Sequence, residues 1–218
     1  MKFAFERAIA LDPTNAEAYS LYGARLRDLG EDSAAVAMLS RGLTLEPEQP
    51  MALASLAETH WLNHRYTEAR RWLDSAVALD PGFAYAYIDR AQVLLLLGER
   101  ESARKDAETA LLLNPRDRET EAALAQVEAR TGDSVDARNR LERLLRERPA
   151  PDQEEGQYVI VALNALGQGD RALGVLERLR PRGVQLWSNL RYPEFDPLRA
   201  NPRFQRVLEE SRPPGVPR

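Results

Sequence analysis

Two histidines, His60 and His64, are the residues of this 218-residue chain whose spacing comes nearest to a chemical site. They stand four apart in HWLNH, so on a helix the two rings share a face one turn apart, a spacing that can supply two metal ligands. A stable site needs ligands beyond two, and Glu58 or Glu68 would have to complete it. The chain has no cysteine, and no acid sits in a zinc-protease arrangement. The pair is therefore read as an interhelical packing histidine and a turn histidine, with no metal bound. The adjacent carboxylates Glu154-Glu155 and Glu209-Glu210 are read as solvated. No glycine-rich phosphate loop and no nucleophile elbow occurs. No catalytic residue and no cofactor is expected, and the chain is read as not an enzyme.

Bulk charge excludes other partners. The net charge is -4, which gives no general attraction to nucleic acid or to a membrane surface. The chain has 28 arginines against two lysines, Lys2 and Lys105, but the arginines are interleaved with acids. That mixing argues for biased codon usage over a phosphate-binding surface. No run is long and apolar enough to span a bilayer. Lys2 is followed by an amphipathic stretch and not by the apolar block of a signal peptide. The expected compartment is the cytoplasm, or the periplasm if the natural chain carries an upstream signal or membrane anchor.

What could position side chains here is a repeat. Prolines fall at Pro13, Pro47, Pro81, Pro115 and Pro149, each 34 residues from the last. Twelve residues before the last four stand Ala35, Ala69, Ala103 and Ala137, and seventeen before them Gly30, His64, Gly98 and Gly132. Twenty-four before them stand Gly23, Ala57, Ala91 and Ala125. A fixed period of this size signals paired helices. In residues 84–117, Tyr87, Ala91 and Leu94 share one helical face. Gly98 ends that helix, because glycine takes the left-handed conformation without strain. A second helix follows through Ala103, Ala107, Ala110 and Leu113 until Asn114-Pro115 stops it. The small residues let the two helices approach closely. So short a pair cannot bury its apolar face alone, so neighbours must stack on it.

These positions, with the large apolar residues Tyr19, Leu53 and Tyr87, resemble the tetratricopeptide repeat (TPR) family, most clearly over residues 1–149. The resemblance implies an all-α fold, a right-handed superhelix of antiparallel helix pairs with a concave groove, and a role in binding proteins. Two departures stand out: His64 replaces a glycine, and Glu121 replaces a large residue, which predicts a weaker fourth pairing.

The expected organisation follows. Residues 1–15 form the second helix of an incomplete repeat, with Phe3, Phe5, Ala8 and Ile9 as an apolar stripe lacking its partner. The stripe favours a longer natural chain and offers a surface for self-association. Residues 16–151 form four units and residues 152–180 a degenerate fifth, which retains Gly167, Ala172 and Leu176 after a one-residue slip. Residues 181–211 form a helical cap over the last repeat, where Asp196-Pro197 and Asn201-Pro202 read as two helix starts. The proline-rich residues 212–218 are expected to be disordered.

In this register the first helix of each unit faces the groove. The expected partner-binding residues are Met51, Trp61, Leu62, Tyr85, Ile88, Asp89, Gln92 and Leu95, flanked by Glu17, Glu58 and Glu119. An apolar centre with acidic walls suits a protein or peptide that brings basic residues around an apolar anchor. Family members that hold chaperone C-terminal carboxylates use cations, and the matching positions here are Ser20, Ala24, Ser55, Tyr85 and Asp89. A chaperone-tail receptor is therefore not expected. The C-terminal stretch YPEFDPLRANPRF, within residues 156–210, resembles the TPR module of bacterial multidomain regulators linked to winged-helix, adenylate cyclase or protein kinase domains. That implies a sensory or regulatory module in signalling or transcription; the alternative is a free-standing scaffold or secretion-type chaperone.

Overall fold

The computed structural model describes residues 2–216 and contains helices and no strand among them. A lone helix, α1 (Lys2–Leu11), is followed by five antiparallel pairs. These are α2 (Ala16–Asp28) with α3 (Asp32–Leu45), α4 (Pro50–Leu62) with α5 (Tyr66–Leu79), and α6 (Ala84–Leu96) with α7 (Arg100–Leu113). Then come α8 (Arg118–Thr131) with α9 (Ser134–Glu147), and α10 (Gln153–Ala165) with α11 (Gly169–Arg178). Each element packs on the next, as a stacked solenoid requires.

Local chemistry explains where the helices start and stop. The side chains of Asn15, Asp117 and Asp152 accept hydrogen bonds from the backbone N–H groups of Ala18, Thr120 and Glu155. Pro50 opens α4, where its missing N–H is not needed. The turn inside each pair needs one left-handed residue. Gly30, Gly98, Gly132 and Gly167 provide four of the five, and His64 takes the same conformation at φ 58° without glycine's freedom.

Close approach within the pairs rests on small residues. Ala35, Ala69, Ala103, Ala137 and Ala172 have no exposed surface. A methyl group on Gly23 would stand 2.6 Å from the Leu39 side chain and 3.0 Å from the Ala35 carbonyl oxygen. The fourth pair is held differently from its neighbours: Glu121 forms ion pairs with Arg140, at 3.6 Å, and with Arg143, both on α9. Charge thus substitutes for the apolar contact whose loss suggested a weaker pairing. Many arginines are likewise paired, among them Arg90 with Asp106 at 2.6 Å and Asp74 at 2.9 Å. Glu155, expected in solvent, is instead buried, and its two carboxylate oxygens accept from Arg118 at 3.0 and 2.8 Å.

The N-terminal stripe differs from expectation. Phe5 stacks on Tyr22 of α2 with ring centroids 5.4 Å apart, and Ile9 packs into the same cluster with Leu26 and Ala35. Phe3 stands exposed while Phe5, Ala8 and Ile9 are half-buried, so α2 covers part of the stripe. Met1 lies outside the described residues.

The C-terminal segment does more than cover the last pair. It contains α12 (Val184–Asn189), a 3-10 helix over Pro193–Leu198, and α13 (Pro202–Ser211). Leu186, Leu190, Phe195, Leu198, Phe204 and Val207 are buried in one core with residues of α8, α10 and α11. Asn201 caps α13 and Pro202 opens it. Asp196-Pro197, by contrast, lies inside the 3-10 helix and starts nothing. Of the tail 212–218, expected to be disordered, Pro213 is buried, and residues 217–218 lie outside the described residues.

The other side of this segment crosses the concave face and reaches the first pair. Arg191 donates to both carboxylate oxygens of Asp32, at 3.0 and 2.8 Å, and to the Arg27 carbonyl oxygen at 2.8 Å. Its guanidinium also lies over the Trp187 ring, 4.9 Å from the centroid. The Trp61 indole N–H donates to Glu194 at 3.1 Å, and the Trp61 and Tyr192 rings are 4.4 Å apart. Arg199 ties the arm together by donating to the carbonyl oxygens of Leu190, Arg191 and Tyr192.

Candidate functional site

The groove positions expected from the repeat register separate into two sets. Ile88 belongs to the core with Ala84, Ala110 and Ala122. Leu95 packs with Ala91, Leu124 and Val127. Leu62 is also buried. Gln92 is buried and accepts a hydrogen bond from Gln126, its counterpart one repeat later, at 2.6 Å. Trp61 is buried because the arm lies on it. A free apolar groove is therefore not what the concave face presents. Part of it has been filled by Tyr192 and Glu194.

Met51, Tyr85 and Asp89 remain accessible and, with Trp61, line a cavity of about 260 Å³ between the groove helices and the arm. Its floor comes from α4, α6, α8 and α10, which the 34-residue period brings side by side. Its walls are aromatic: Trp61, Phe83, Tyr85, Tyr158 and Tyr192. Its carboxylates are Asp28, Glu58, Asp89, Glu119 and Glu154. Arg27 is the one cationic side chain lining it among the described residues, and it is engaged with Glu58 and, at 3.1 Å, with Asp28. The remaining carboxylates have no ion-pair partner among the described residues.

This imbalance shows in the protonation of the site. Burial, with the charge of nearby Asp89, pushes the Glu119 carboxyl up to about 8. Burial also pushes Asp89 up to about 7, against the pull of Arg27. Across the arm contact, burial pushes Glu194 up to about 7. Asp89 and Glu119 are partly and Glu194 almost wholly withdrawn from water, without enough positive charge to hold them ionised.

The sequence register placed Met51, Ser55, Glu58, Trp61, Tyr85, Asp89 and Glu119 on this face, and Arg27 of α2 and Ala54 of α4 join them in the lining. It missed what lies outside the four regular units: Glu154, Gln157 and Tyr158 on the displaced fifth pair, and Gln185, Ser188, Asn189 and Tyr192 on the arm. The signal available for the last group was an aromatic and polar stretch that breaks the period.

The histidines stand apart from the cavity. The His64 ring nitrogen Nδ1 lies 2.8 Å from the Tyr66 hydroxyl, and His60 lines a separate depression of about 250 Å³ with Glu68 and Trp72. Burial, and the nearby Arg65 charge, lower the His60 pKa. Among the described residues no group of three or more histidines and acids is arranged to hold a metal ion, and no helix is long and apolar enough to cross a membrane.

Stacked helix pairs of 34 residues with a concave recess define a helical-repeat interaction solenoid. Models of the tetratricopeptide repeat match residues 23–82 and 84–117, so that stretch of the chain carries tetratricopeptide repeats. In sequence, 88 residues are 34% identical to the Cell division cycle protein 27 homolog of Caenorhabditis elegans, covering 40% of this chain and 11% of that protein. In structure, a tetratricopeptide repeat protein from Parabacteroides merdae ATCC 43184 matches with a TM-score of 0.66 and 15% identity, over 96% of this chain and 90% of that one. YrrB, described as a TPR protein with an unusual peptide-binding site, matches with a TM-score of 0.58 and 17% identity, over 96% of this chain and all of its own. At these identities the likeness to solved structures is one of fold. Repeats of this family serve as protein-interaction scaffolds, and the fold is generally non-catalytic.

Proposed function

We propose that this protein is a non-catalytic scaffold that captures a segment of a partner protein on its concave face, beside its own C-terminal arm. The observation that carries the reading is the cavity at Met51, Tyr85, Asp89 and Glu119, built by successive repeats and excessively acidic. With the arm in place, the open space is smaller than the ~300–1,000 Å³ of ordinary ligand pockets. It suits one anchor side chain with the rest of the segment running outside, and it leaves no room for a whole helix. YrrB, with a similar fold, is described as binding peptide, which supports the class of partner.

The test is selection from a displayed library of random peptides against the whole chain. Enriched peptides should carry basic residues near an apolar one. Tyr85→Ala should weaken them by about 1–2 kcal/mol, as loss of a moderate anchor does. Enrichment of no sequence class, or binding indifferent to Tyr85→Ala, would contradict the reading.

The context we infer is a regulatory module of a bacterial signalling or transcription-regulating protein, acting in the cytoplasm. It rests on the similarity of residues 156–210 to the ends of such modules. The complete reading frame tests it: a winged-helix, cyclase or kinase domain upstream supports it, and a complete gene lacking any effector domain contradicts it.

A further inference from the structure

The cavity carries more specific chemistry than a general preference for basic peptides. Its aromatic walls come from four different parts of the chain: Trp61 on α4, Phe83 and Tyr85 at the start of α6, Tyr158 on α10, and Tyr192 on the arm. Aromatic faces are electron-rich and attract cations directly as well as covering methylene groups. Three carboxylates, Asp89, Glu119 and Glu154, converge from α6, α8 and α10 without an ion-pair partner among the described residues. Three hydroxyl side chains at least nine-tenths buried also line the space: Ser55, Tyr158 and Ser188. None of the three hydroxyls has a hydrogen-bond partner among the described residues. With no protein partner and set around an accessible void, these hydroxyls offer hydrogen bonds to a polar ligand.

We propose that this cavity receives a single lysine side chain of a partner peptide, its methylenes against the aromatic walls and its ammonium among Asp89, Glu119 and Glu154. This rests on the scaffold reading above and gives it a chemistry. The charge decides the sign, since the one lining cation, Arg27, is already committed to Glu58 and Asp28. The separate origin of the acceptors favours ammonium over guanidinium. Lysine offers three donors free to turn toward acceptors on different helices, whereas arginine's rigid fork is matched to a single bidentate carboxylate. An ammonium here would also let Asp89 and Glu119 ionise, relieving the condition that burial imposes on them.

The experiment uses the whole chain and a probe that needs no knowledge of the partner. n-Butylammonium chloride is titrated while the three tryptophan indole N–H signals are followed by NMR, with n-butanol as the neutral control of similar shape. The expected result is a saturable shift of the Trp61 signal by the ammonium and not by the alcohol, with Trp72 unmoved. Glu119→Gln combined with Asp89→Asn should weaken the ammonium roughly tenfold or more, as loss of charge-assisted contacts does. Arginine amide should bind more weakly than lysine amide. No saturable shift up to about 100 mM, an equal response to n-butanol, or unchanged binding by the folded double variant overturns the proposal. The n-butanol comparison is made on the parent protein, so it decides the matter even if the double variant fails to fold. Peptides enriched by selection that bind equally well with norleucine in place of lysine would overturn this inference and leave the scaffold reading standing.

Discussion

The repeat array and the C-terminal arm solve the same packing problem by different means. In the array, paired helices meet closely at an alanine that recurs every 34 residues from Ala35 to Ala137. In the arm, one face is as apolar as any core, with Phe195 and Phe204 fully buried at 5.9 Å from each other. The other face is aromatic and charged and meets the concave side through Arg191, Tyr192 and Glu194. Glu194 is buried with its second carboxylate oxygen unpaired, as is a nitrogen of Gln92 beside it. Buried unpaired groups cost stability, and the arm's groove contact carries that cost at Glu194. A solenoid can thus fix its shape with small residues and still use a costlier polar contact where the surface has to meet other molecules.

The contrast can be broken at either end. The largest effect is expected on the arm's apolar face, where Phe195→Ala should cost about 3–5 kcal/mol in chemical denaturation. A loss under about 1 kcal/mol would show that the arm is not part of the folded core. In the array, Ala103→Leu should cost about 1–3 kcal/mol by overpacking. An unchanged midpoint would mean the α6–α7 seam is loose. On the polar face, Arg191→Ala removes charged hydrogen bonds to Asp32 and the Arg27 carbonyl, and about 1–2 kcal/mol is expected after allowing for partial exposure. The same variant should raise the quenching of Trp61 fluorescence by acrylamide, while Phe195→Ala at its unfolding midpoint should expose all three tryptophans together.

Acidity sharpens the comparison further. The folded-state pKa values of Asp89, Glu119 and Glu194 lie at about 7, 8 and 7, above those of the unfolded chain. Between pH ~4 and ~8 the folded state therefore binds more protons than the unfolded one, and stability from these groups falls as pH rises. Glu119→Gln should flatten that fall. A stability that rises steadily over the same range would contradict the assignment. The smallest effect is expected at His64, where His64→Gly relieves the left-handed backbone but loses the Tyr66 contact, for a net gain of about 0.5–1 kcal/mol. A net loss would mean that the Tyr66 contact outweighs the backbone strain.

The fold was legible because its determinants are local and repeated. Glycine or its substitute at residues 30, 64, 98 and 132, and the buried alanines, mark each turn and seam in the sequence itself. The same register sets the facing of the groove helices, and Met51, Tyr85, Asp89 and Glu119 line one cavity. Ile88, Gln92 and Leu95 were misplaced because helical phase alone does not separate a residue on the groove from one wedged under the next pair. The arm was not legible beyond its role as a cap. Its contacts join residues more than a hundred positions apart, as with Trp61 to Glu194 and Asp32 to Arg191, and nothing periodic announces them. Aromatic and charged residues in residues 187–195 signalled only that something would be covered.

The central claim is that the chain's own arm occupies part of its concave groove and so shapes the cavity. The most direct measurement is the nuclear Overhauser contact between the Trp61 indole protons and the Tyr192 ring in the whole protein, assigned with Trp61→Phe and Tyr192→Ala variants. With ring centroids 4.4 Å apart, the account predicts a strong cross-peak that disappears in Tyr192→Ala while the Trp72 signal stays in place. Absence of that cross-peak in the folded parent protein would contradict it, since the groove would then stand open.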